Sequence, residues 1–292
     1  MKLRPLPLPP TDNSGLHNYV TYFNHVTQQY LLSCKRYYEL QKIIRSQSLT
    51  TFFQPIVNLQ DGRCLGYEVL NRPPVSSLFP TTESFYDFIG DTDQVFAFEC
   101  FCRDLSFKRL SVVMDQADKS KDTLVFVNIH PQVLSDSNYR SGETIHLLSR
   151  YGLSPRQVVF ELTEKQAVHD YVKFERILFH YRSQGFRIAI DDAGSGYNSL
   201  KAIVSLKPEF IKLDKSLVRR VHHSPNQQRI VTLLQEFAAD SGTYIIAEGI
   251  EEVEEITFLR KKGIEYGQGY AIQKPAKELV NATLPTLQME KE

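Results

Sequence analysis

The sequence predicts an α/β fold, a TIM-like (β/α)8 barrel with one antiparallel strand near its start and a helix in front of it. Apolar, β-branched segments alternate with helical stretches, which is typical of a parallel sheet buried on both faces. About eight such segments occupy roughly 230 residues, close to the ~250 residues of a typical barrel. An Asp-Gly turn joins the first two segments and predicts a hairpin there. An open, doubly wound sheet remains the alternative from pattern alone.

The chain divides into four predicted regions. Residues 1–15 are rich in proline and turn-forming residues and are expected to be disordered or extended. A helical segment is predicted at 16–48, since apolar residues recur at steps of three or four from Leu16 to Ile44. This helix either lies on the surface of the main domain or serves as a signalling or dimerising helix. The barrel is predicted over 49–280, and 281–292 form a C-terminal tail.

The predicted strands follow one another with helices between most of them. Predicted helices include 165–184, 226–241 and 252–262, which have the apolar spacing of amphipathic helices. The strand segments are 51–58, 64–70, 123–129, 157–162, 186–191, 209–213 and 243–247, with a weak one at 264–268.

Composition excludes several classes of function. The 292 residues contain 34 Lys and Arg against 34 Asp and Glu, so no basic surface predicts bulk nucleic-acid binding. The four cysteines lack CxxC spacing, which favours reduced thiols over a zinc site or a disulfide framework. No apolar run reaches the ~20 residues of a membrane-spanning helix. We therefore expect a soluble, cytoplasmic protein without a membrane segment.

Polar side chains stand at or just past the ends of the predicted strands. In a barrel these carboxyl ends converge on one mouth, where active sites are built. Five carboxylates in one mouth would repel one another, and a hard divalent cation relieves that repulsion through oxygen ligands. The absence of His and Cys from the set argues against zinc or copper. The residues are Glu68, Asn128, Glu161, Asp191, Asp192, Lys212, Glu248 and Gln268.

The number of oxygen donors is larger than one ion needs. Two ions that share Asp191 or its neighbour are consistent with in-line cleavage of a phosphodiester. Lys212 is the one base of the set, and a buried lysine requires a charged partner. It either holds a water or a phosphate oxygen or forms a structural ion pair within the barrel.

The segment IAIDDAGSGYNSL, at 188–200, allows three interpretations. Its glycines are consistent with a phosphate-binding loop or with a tight turn between strand and helix. Its adjacent aspartates favour a metal site, because an anion is disfavoured beside two carboxylates. We interpret Asp191 and Asp192 as metal ligands and Gly194 and Gly196 as the residues that let the loop turn away.

Seven motifs together resemble the EAL family of cyclic di-GMP phosphodiesterases. The resemblance covers roughly 49–280 and keeps the order of the family's motifs. They are GYEVLNR (66–72), VNIHP (127–131), FELTE (160–164), IDDAGSGYNSL (190–200), PEFIKLD (208–214), IIAEGIE (245–251) and GQGYAIQKP (267–275).

The resemblance implies metal-dependent hydrolysis of cyclic di-GMP to linear pGpG in a bacterial signalling protein, on a barrel with one antiparallel strand. Mg²⁺ or Mn²⁺, two ions per site, would be the cofactor, whereas Ca²⁺ would bind and inhibit. A homodimer is also implied. By the same resemblance, Glu68, Asn128, Glu161 and Asp191 bind the first ion, and Asp191 and Asp192 bind the second.

Other roles are carried over in the same way. Lys212 would position the attacking water, and Glu248 would be either a second-metal ligand or the general base. Arg72 would contact the substrate phosphate and Gln54 a guanine base, with Gln268 as a further substrate-binding residue. Glu164 and Glu251 would stabilise the loops of the site.

The sequence departs from the family at a few positions. Val69 replaces the alanine of the defining motif, Asn71 replaces a leucine, and Ala193 and Ser195 replace phenylalanine and threonine. None of these changes removes a ligand or a charge. They bear on the level of activity, since the smaller Ala193 would loosen a loop to which dimer contacts are attributed.

Two competing functions remain. A non-catalytic cyclic di-GMP receptor would bind the nucleotide and signal through the N-terminal helix, but such receptors usually lack some of the polar residues that this chain keeps. A different metal-dependent barrel phosphodiesterase, acting on lipid or sugar phosphates, would be expected to carry two catalytic histidines.

Overall fold

Eight strands close into a barrel in the computed structural model of the chain. The structure describes residues 15–117, 122–130, 133, 136, 140, 142–163, 171–194 and 199–285. The strands are β1 (Thr50–Asn58), β2 (Cys64–Arg72), β3 (Leu124–Asn128), β4 (Val158–Thr163), β5 (Arg187–Ala193), β6 (Phe210–Leu213), β7 (Tyr244–Ala247) and β8 (Tyr266–Gly267).

Strand β1 runs against its neighbours. It pairs antiparallel with β2 on one side and with β8 on the other, whereas every other neighbouring pair is parallel. The turn at Asp61–Gly62 reverses the chain between β1 and β2, and Gly62 adopts the positive φ of 74° that such a turn requires. The predicted barrel with one antiparallel strand near its start is therefore confirmed.

Helices connect the strands and cover the outside of the barrel. Among the described residues, none of them is both long enough and apolar enough to cross a bilayer. They are α1 (Gly15–Ser46), α2 (Thr82–Gly90), α3 (Val95–Ala117), α4 (Glu143–Arg150), α5 (Tyr171–Ser183), α6 (Ser199–Leu206), α7 (Lys215–Val218), α8 (Pro225–Ser241) and α9 (Val253–Lys261).

Three of the predicted regions extend beyond what the structure describes. The disordered or extended segment predicted at 1–15 lies outside the described residues except for Gly15. The first turns of the helix predicted at 165–184 also lie outside them, and α5 is described from 171 onward. The predicted C-terminal tail is described only at 281–285, where the chain forms neither helix nor strand.

The first helix packs on the barrel domain through its C-terminal part. Leu40 and Ile43 are buried in the main core, and Arg36 donates a hydrogen bond from Nε to the carbonyl oxygen of Leu78 at 3.1 Å. The N-terminal part of α1 instead exposes large apolar side chains. The exposed stripe consists of Val20, Phe23, Tyr30 and Leu31.

The interior of the barrel is filled by one compact layer of apolar side chains. The two members from β3, Leu124 and Phe126, stand two residues apart, as inward-facing residues of one strand must in a pleated sheet. The interior layer is Ile56, Leu124, Phe126, Val159, Ala189, Phe210 and Ile246. This layer closes the barrel below its C-terminal mouth. The inward-facing residues that follow it therefore line a pocket with a closed bottom rather than a pore.

Candidate active site

The inward side chains directly above the interior layer are polar in five consecutive parallel strands. Each stands two residues after a member of the layer, which puts it on the same face of its strand. The five steps are Phe126 to Asn128, Val159 to Glu161, Ala189 to Asp191, Phe210 to Lys212 and Ile246 to Glu248. The strand-end residues predicted from the sequence are thereby brought to one mouth.

Lys212 is the centre of this cluster. Its ammonium Nζ lies 2.6 Å from Glu161 Oε1 and 2.7 Å from Glu248 Oε1. It also lies 3.3 Å from Asp191 Oδ1 and 3.4 Å from Glu68 Oε2. The lysine side chain is fully buried, so these carboxylates replace the water that would otherwise solvate its charge.

The charges of the cluster change the proton affinity of its members. Burial alone would lower the pKa of Lys212, but the surrounding carboxylates, Asp191 foremost, outweigh burial and hold the pKa well above its usual range. Burial and the charge of Glu68 raise the pKa of Glu161 well above its usual value, against the opposing effect of Lys212. Burial likewise raises the pKa of Glu248, so the cluster holds more negative charge than one lysine stabilises.

Asp192 reaches the cluster through an irregularity in β5. Strict alternation would point its side chain away from that of Asp191. The backbone of Asp192 instead has φ of 57°, and the pairing of β5 with β6 shifts register between Ile190 and Ala193. As a result, carboxylate oxygens of Asp191, Asp192 and Glu248 all lie within 4.8 Å of one another. Such bulges often re-aim a side chain beside an active site.

Two amides join the carboxylates. Gln268 follows β8 and donates from Nε2 to Glu68 Oε2 at 2.6 Å and to Glu248 Oε1 at 3.1 Å. Asn128 Nδ2 lies 3.4 Å from Glu68 Oε1, at the long limit for a hydrogen bond. Both amides thus belong to the same cluster as the acids, as their positions at strand ends predict.

The residues of the cluster fit a hard divalent cation. Glu161 Oε1 faces Lys212, whereas Glu161 Oε2 is buried with no hydrogen-bond donor among the described residues, so it keeps acceptor capacity. The available ligand atoms are carboxylate and amide oxygens, which Mg²⁺, Mn²⁺ and Ca²⁺ prefer. Among the described residues, the acids Asp191, Asp192 and Glu248 form a group close enough to share one ion.

The remaining predicted residues lie around this cluster or outside it. Gln54 is buried and donates from Nε2 to the carbonyl oxygen of Gln273 at 3.1 Å. Arg72, at the exposed end of β2, lines a cavity of about 290 Å³ together with Asn128. Glu251 forms an ion pair with Arg219 rather than joining the acids around Lys212. Glu164 lies outside the described residues.

The turn after β5 is described only at its start. Gly194 has φ of 98°, and a Cβ there would lie 2.3 Å from Leu217 Cδ1, so glycine is required both by conformation and by space. Ala193 is fully buried at the end of β5. The predicted turning function of Gly194 is consistent with this geometry, whereas Ser195 and Gly196 lie outside the described residues.

A buried ion pair on α3 was not predicted from the sequence. Glu99 and Arg103 lie 3.0 Å apart and line the same cavity as Arg72. The signal was present in the segment FECFCRD, where an acid and a base four residues apart interrupt an apolar run. It was missed because α3 itself was not predicted as an element.

The sequence of the chain is similar to sequences of known proteins. The family model described as "EAL domain" matches residues 38–275. An uncharacterized signaling protein of Caulobacter vibrioides is 31% identical over 82% of this chain and 29% of its own length. The probable cyclic di-GMP phosphodiesterase PdeB of Escherichia coli is 29% identical over 82% of this chain and 45% of its own length. The chain thus spans less than half the length of either relative.

A solved structure matches the same part of the chain. BlrP1 of Klebsiella pneumoniae, in complex with calcium and cyclic di-GMP, superposes with a TM-score of 0.73 at 27% identity. The match covers 82% of this chain and 59% of the other. A second structure of BlrP1 is a complex with manganese and cyclic di-GMP.

If the cluster binds divalent cations, those cations stabilise the folded chain. We expect Mn²⁺ at about 100 times its dissociation constant to raise the free energy of unfolding by about 2.7 kcal/mol, because the ion binds only the folded site. Thermal unfolding with and without MnCl₂ measures this effect. NaCl of equal ionic strength is the control, and Asp191→Asn is expected to reduce the increment. An equal increment with NaCl, or an unreduced one in Asp191→Asn, would contradict the assignment.

Proposed function

Because the chain belongs to the EAL domain family, we propose that it is a metal-dependent phosphodiesterase that hydrolyses cyclic di-GMP to linear pGpG. The observation that carries the proposal is the position of Lys212, whose ammonium lies within 3.4 Å of four carboxylates at the mouth of the barrel. This arrangement supports chemistry on a phosphodiester, because a cluster rich in carboxylates needs cations before it can accept an anion. Two cation sites, filled by Mg²⁺ or Mn²⁺, are part of the proposal.

The bound cations would neutralise phosphate charge and lower the pKa of a water molecule. Glu68, Asn128, Glu161 and Asp191 would hold the first ion, and Asp191 and Asp192 the second. The names of the BlrP1 complexes support the choice of ions, since that protein is described with calcium and with manganese. Ca²⁺ is proposed to bind here and to inhibit, because its larger, flexible coordination positions substrate less strictly.

The chain's own side chains would orient the reactants. Lys212 would donate to the attacking water, whose oxygen forms a bond to phosphorus while one P–O bond of the ring breaks and the leaving ribose oxygen gains a proton. Glu248, 2.7 Å from Lys212, would be either a ligand of the second ion or the acceptor of the water's proton. The product of this one cleavage is the linear dinucleotide.

Substrate contacts are proposed for residues beside the cluster. Arg72 would bind phosphate oxygens, because its planar guanidinium provides the two parallel donors that a lysine lacks. Gln54, in the middle of β1 and paired with Glu68 of β2, would contact a guanine base. Gln268 already donates to Glu68 and Glu248, so its amide would orient those acids in addition to contacting substrate. Glu164 and Glu251 are proposed to stabilise the loops of the site.

The activity is tested by the products. We expect incubation of the chain with cyclic di-GMP and Mg²⁺ or Mn²⁺ to yield pGpG, detected by chromatography, and EDTA or Ca²⁺ to suppress it. Substrate binding is measured in parallel by calorimetry with Ca²⁺. Binding without any pGpG would refute the enzyme and leave a non-catalytic cyclic di-GMP receptor as the function.

A second prediction concerns Glu68. Glu68→Ala removes a proposed metal ligand and an acceptor for Gln268, and we expect turnover to fall by about 10²-fold or more. Asp104→Ala is the matched control, because Asp104 lies on α3 beside Arg150, outside the barrel mouth. Turnover by Glu68→Ala at a rate near that of the unmodified chain would show that the metal assignment is wrong.

We also propose that the chain forms a homodimer through the exposed stripe of α1. The stripe lies on the side of the helix opposite to Leu40 and Ile43, which pack on the barrel. Residues 15–34 contain no Asp, Glu, Lys or Arg, so two copies of this part can pair without repulsion between like charges.

The dimer is tested by mass in solution. We expect light scattering to give about twice the 33.7 kDa of one chain, and Phe23→Glu with Leu31→Glu to give the monomer mass. Gln29→Glu introduces a charge on another face of the same helix and is expected to leave the mass unchanged. A monomer mass for the unmodified chain, or a dimer that survives both charges, would rule out this interface.

A further inference from the structure

The ion pair of Glu99 and Arg103 is buried behind the strands that carry two proposed metal ligands. Glu99 Oε2 accepts a hydrogen bond from Arg103 Nη2 at 3.0 Å, and the two residues are 5% and 1% exposed. Both belong to α3, which packs against the outside of the barrel near β1 and β2. A charged pair in this position is costly to desolvate and is weak evidence of stabilisation by itself. Its contacts must therefore explain why it is there.

One contact of the pair fixes the backbone just after β3. The second oxygen of Glu99, Oε1, accepts a hydrogen bond from the backbone N–H of His130 at 3.2 Å. His130 stands two residues after Asn128, the last residue of β3. The other side of the same short segment is held by Ile129, whose N–H donates to the carbonyl oxygen of Glu161 at 3.0 Å. The chain that follows Asn128 is thus held from both sides.

The arginine extends the same support to β4 and α4. Arg103 Nη1 donates to Thr144 Oγ1 at 3.0 Å. The guanidinium carbon of Arg103 lies 5.4 Å from the ring centroid of Phe160, the residue before Glu161. Phe160 packs outward from the barrel while Glu161 points inward, so a shift of the arginine would displace the strand that carries a proposed ligand.

We propose that Glu99 and Arg103 are positioning residues that set the divalent-cation affinity of the barrel mouth by fixing Asn128 and Glu161. The inference rests on the proposed function, since it requires those two residues to be metal ligands. Neither member of the pair belongs to the cluster around Lys212; both line the cavity beside it, together with Arg72 and Asn128. Their effect is to restrict where the oxygens of Asn128 and Glu161 lie, and loss of such outer contacts typically weakens metal binding by about 10–100-fold.

The test is a titration of the full chain with Mn²⁺. Glu99→Gln keeps the size of the side chain and an oxygen for His130 but removes the charge that pairs with Arg103. We expect the Mn²⁺ dissociation constant, measured by calorimetry, to rise by about 10-fold or more. At saturating Mn²⁺ we expect kcat within about twofold of the unmodified chain, since the ligands themselves remain.

Glu209→Gln is the matched control. Glu209 also pairs with an arginine, Arg182, and accepts a backbone N–H, that of Ile188 at 2.8 Å, but at the opposite end of the barrel. Its loss is expected to lower stability and leave the Mn²⁺ affinity unchanged. Should Glu99→Gln fail to fold, Thr144→Val replaces it, because this change removes only the hydrogen bond to Arg103; its Mn²⁺ affinity is expected to fall by about threefold or more.

The outcomes separate this inference from the proposed function. If the unmodified chain does not bind Mn²⁺, the proposed function fails first. If it binds, and the foldable variant of the pair binds equally tightly, the positioning role is refuted. Equal weakening in Glu209→Gln would also refute it, because the effect would then follow from general destabilisation. A loss of kcat in Glu99→Gln that saturating Mn²⁺ does not restore would contradict a role limited to metal affinity.

Discussion

The buried ammonium of Lys212 holds the mouth of the barrel together. Its positive charge offsets the repulsion among the carboxylates of Glu68, Glu161, Asp191 and Glu248, which lie within a few ångströms of it. Its own burial is tolerable only because those acids surround it. One charge does not balance the five carboxylates of the cluster, and burial raises the pKa of Glu161 and Glu248. This excess of negative charge explains why the site is suited to bind cations. Bound cations would offset the negative charge, so that an anionic phosphodiester could then bind.

The barrel brings these charged side chains together through a simple repeat along its strands. The interior layer of the barrel floors the mouth, and the next inward position of five consecutive parallel strands carries a polar residue. Since the side chains of a strand alternate, the same two-residue step is enough to place Asn128, Glu161 and Lys212 on one side of the sheet. The cluster departs from this repeat at Asp192, where a positive φ in β5 brings a second aspartate to the same point.

Much of this arrangement could be predicted from the sequence, because strand patterns and strand-end polar residues are local signals. The barrel, its antiparallel strand and the set of residues gathered around Lys212 were predicted in this way. The backbone conformation of Asp192 could not be, since it depends on pairing with β6. The ion pair of Glu251 with Arg219 joins two loops distant in sequence. Helix α3 is apolar on most faces and lacks the periodicity that identifies a surface helix, so Glu99 and Arg103 stayed unnoticed.

Crystallography with an anomalous scatterer can establish whether the oxygens around Lys212 are ligands of divalent cations. Crystals of the chain grown with Mn²⁺ and diffracted near the manganese absorption edge would locate each ion without assumptions about activity. We expect anomalous peaks at the barrel mouth, one in contact with Glu68, Asn128, Glu161 and Asp191 and a second beside Asp191 and Asp192. A mouth without any peak, with Lys212 still paired to the carboxylates at saturating Mn²⁺, would show that these oxygens are not metal ligands.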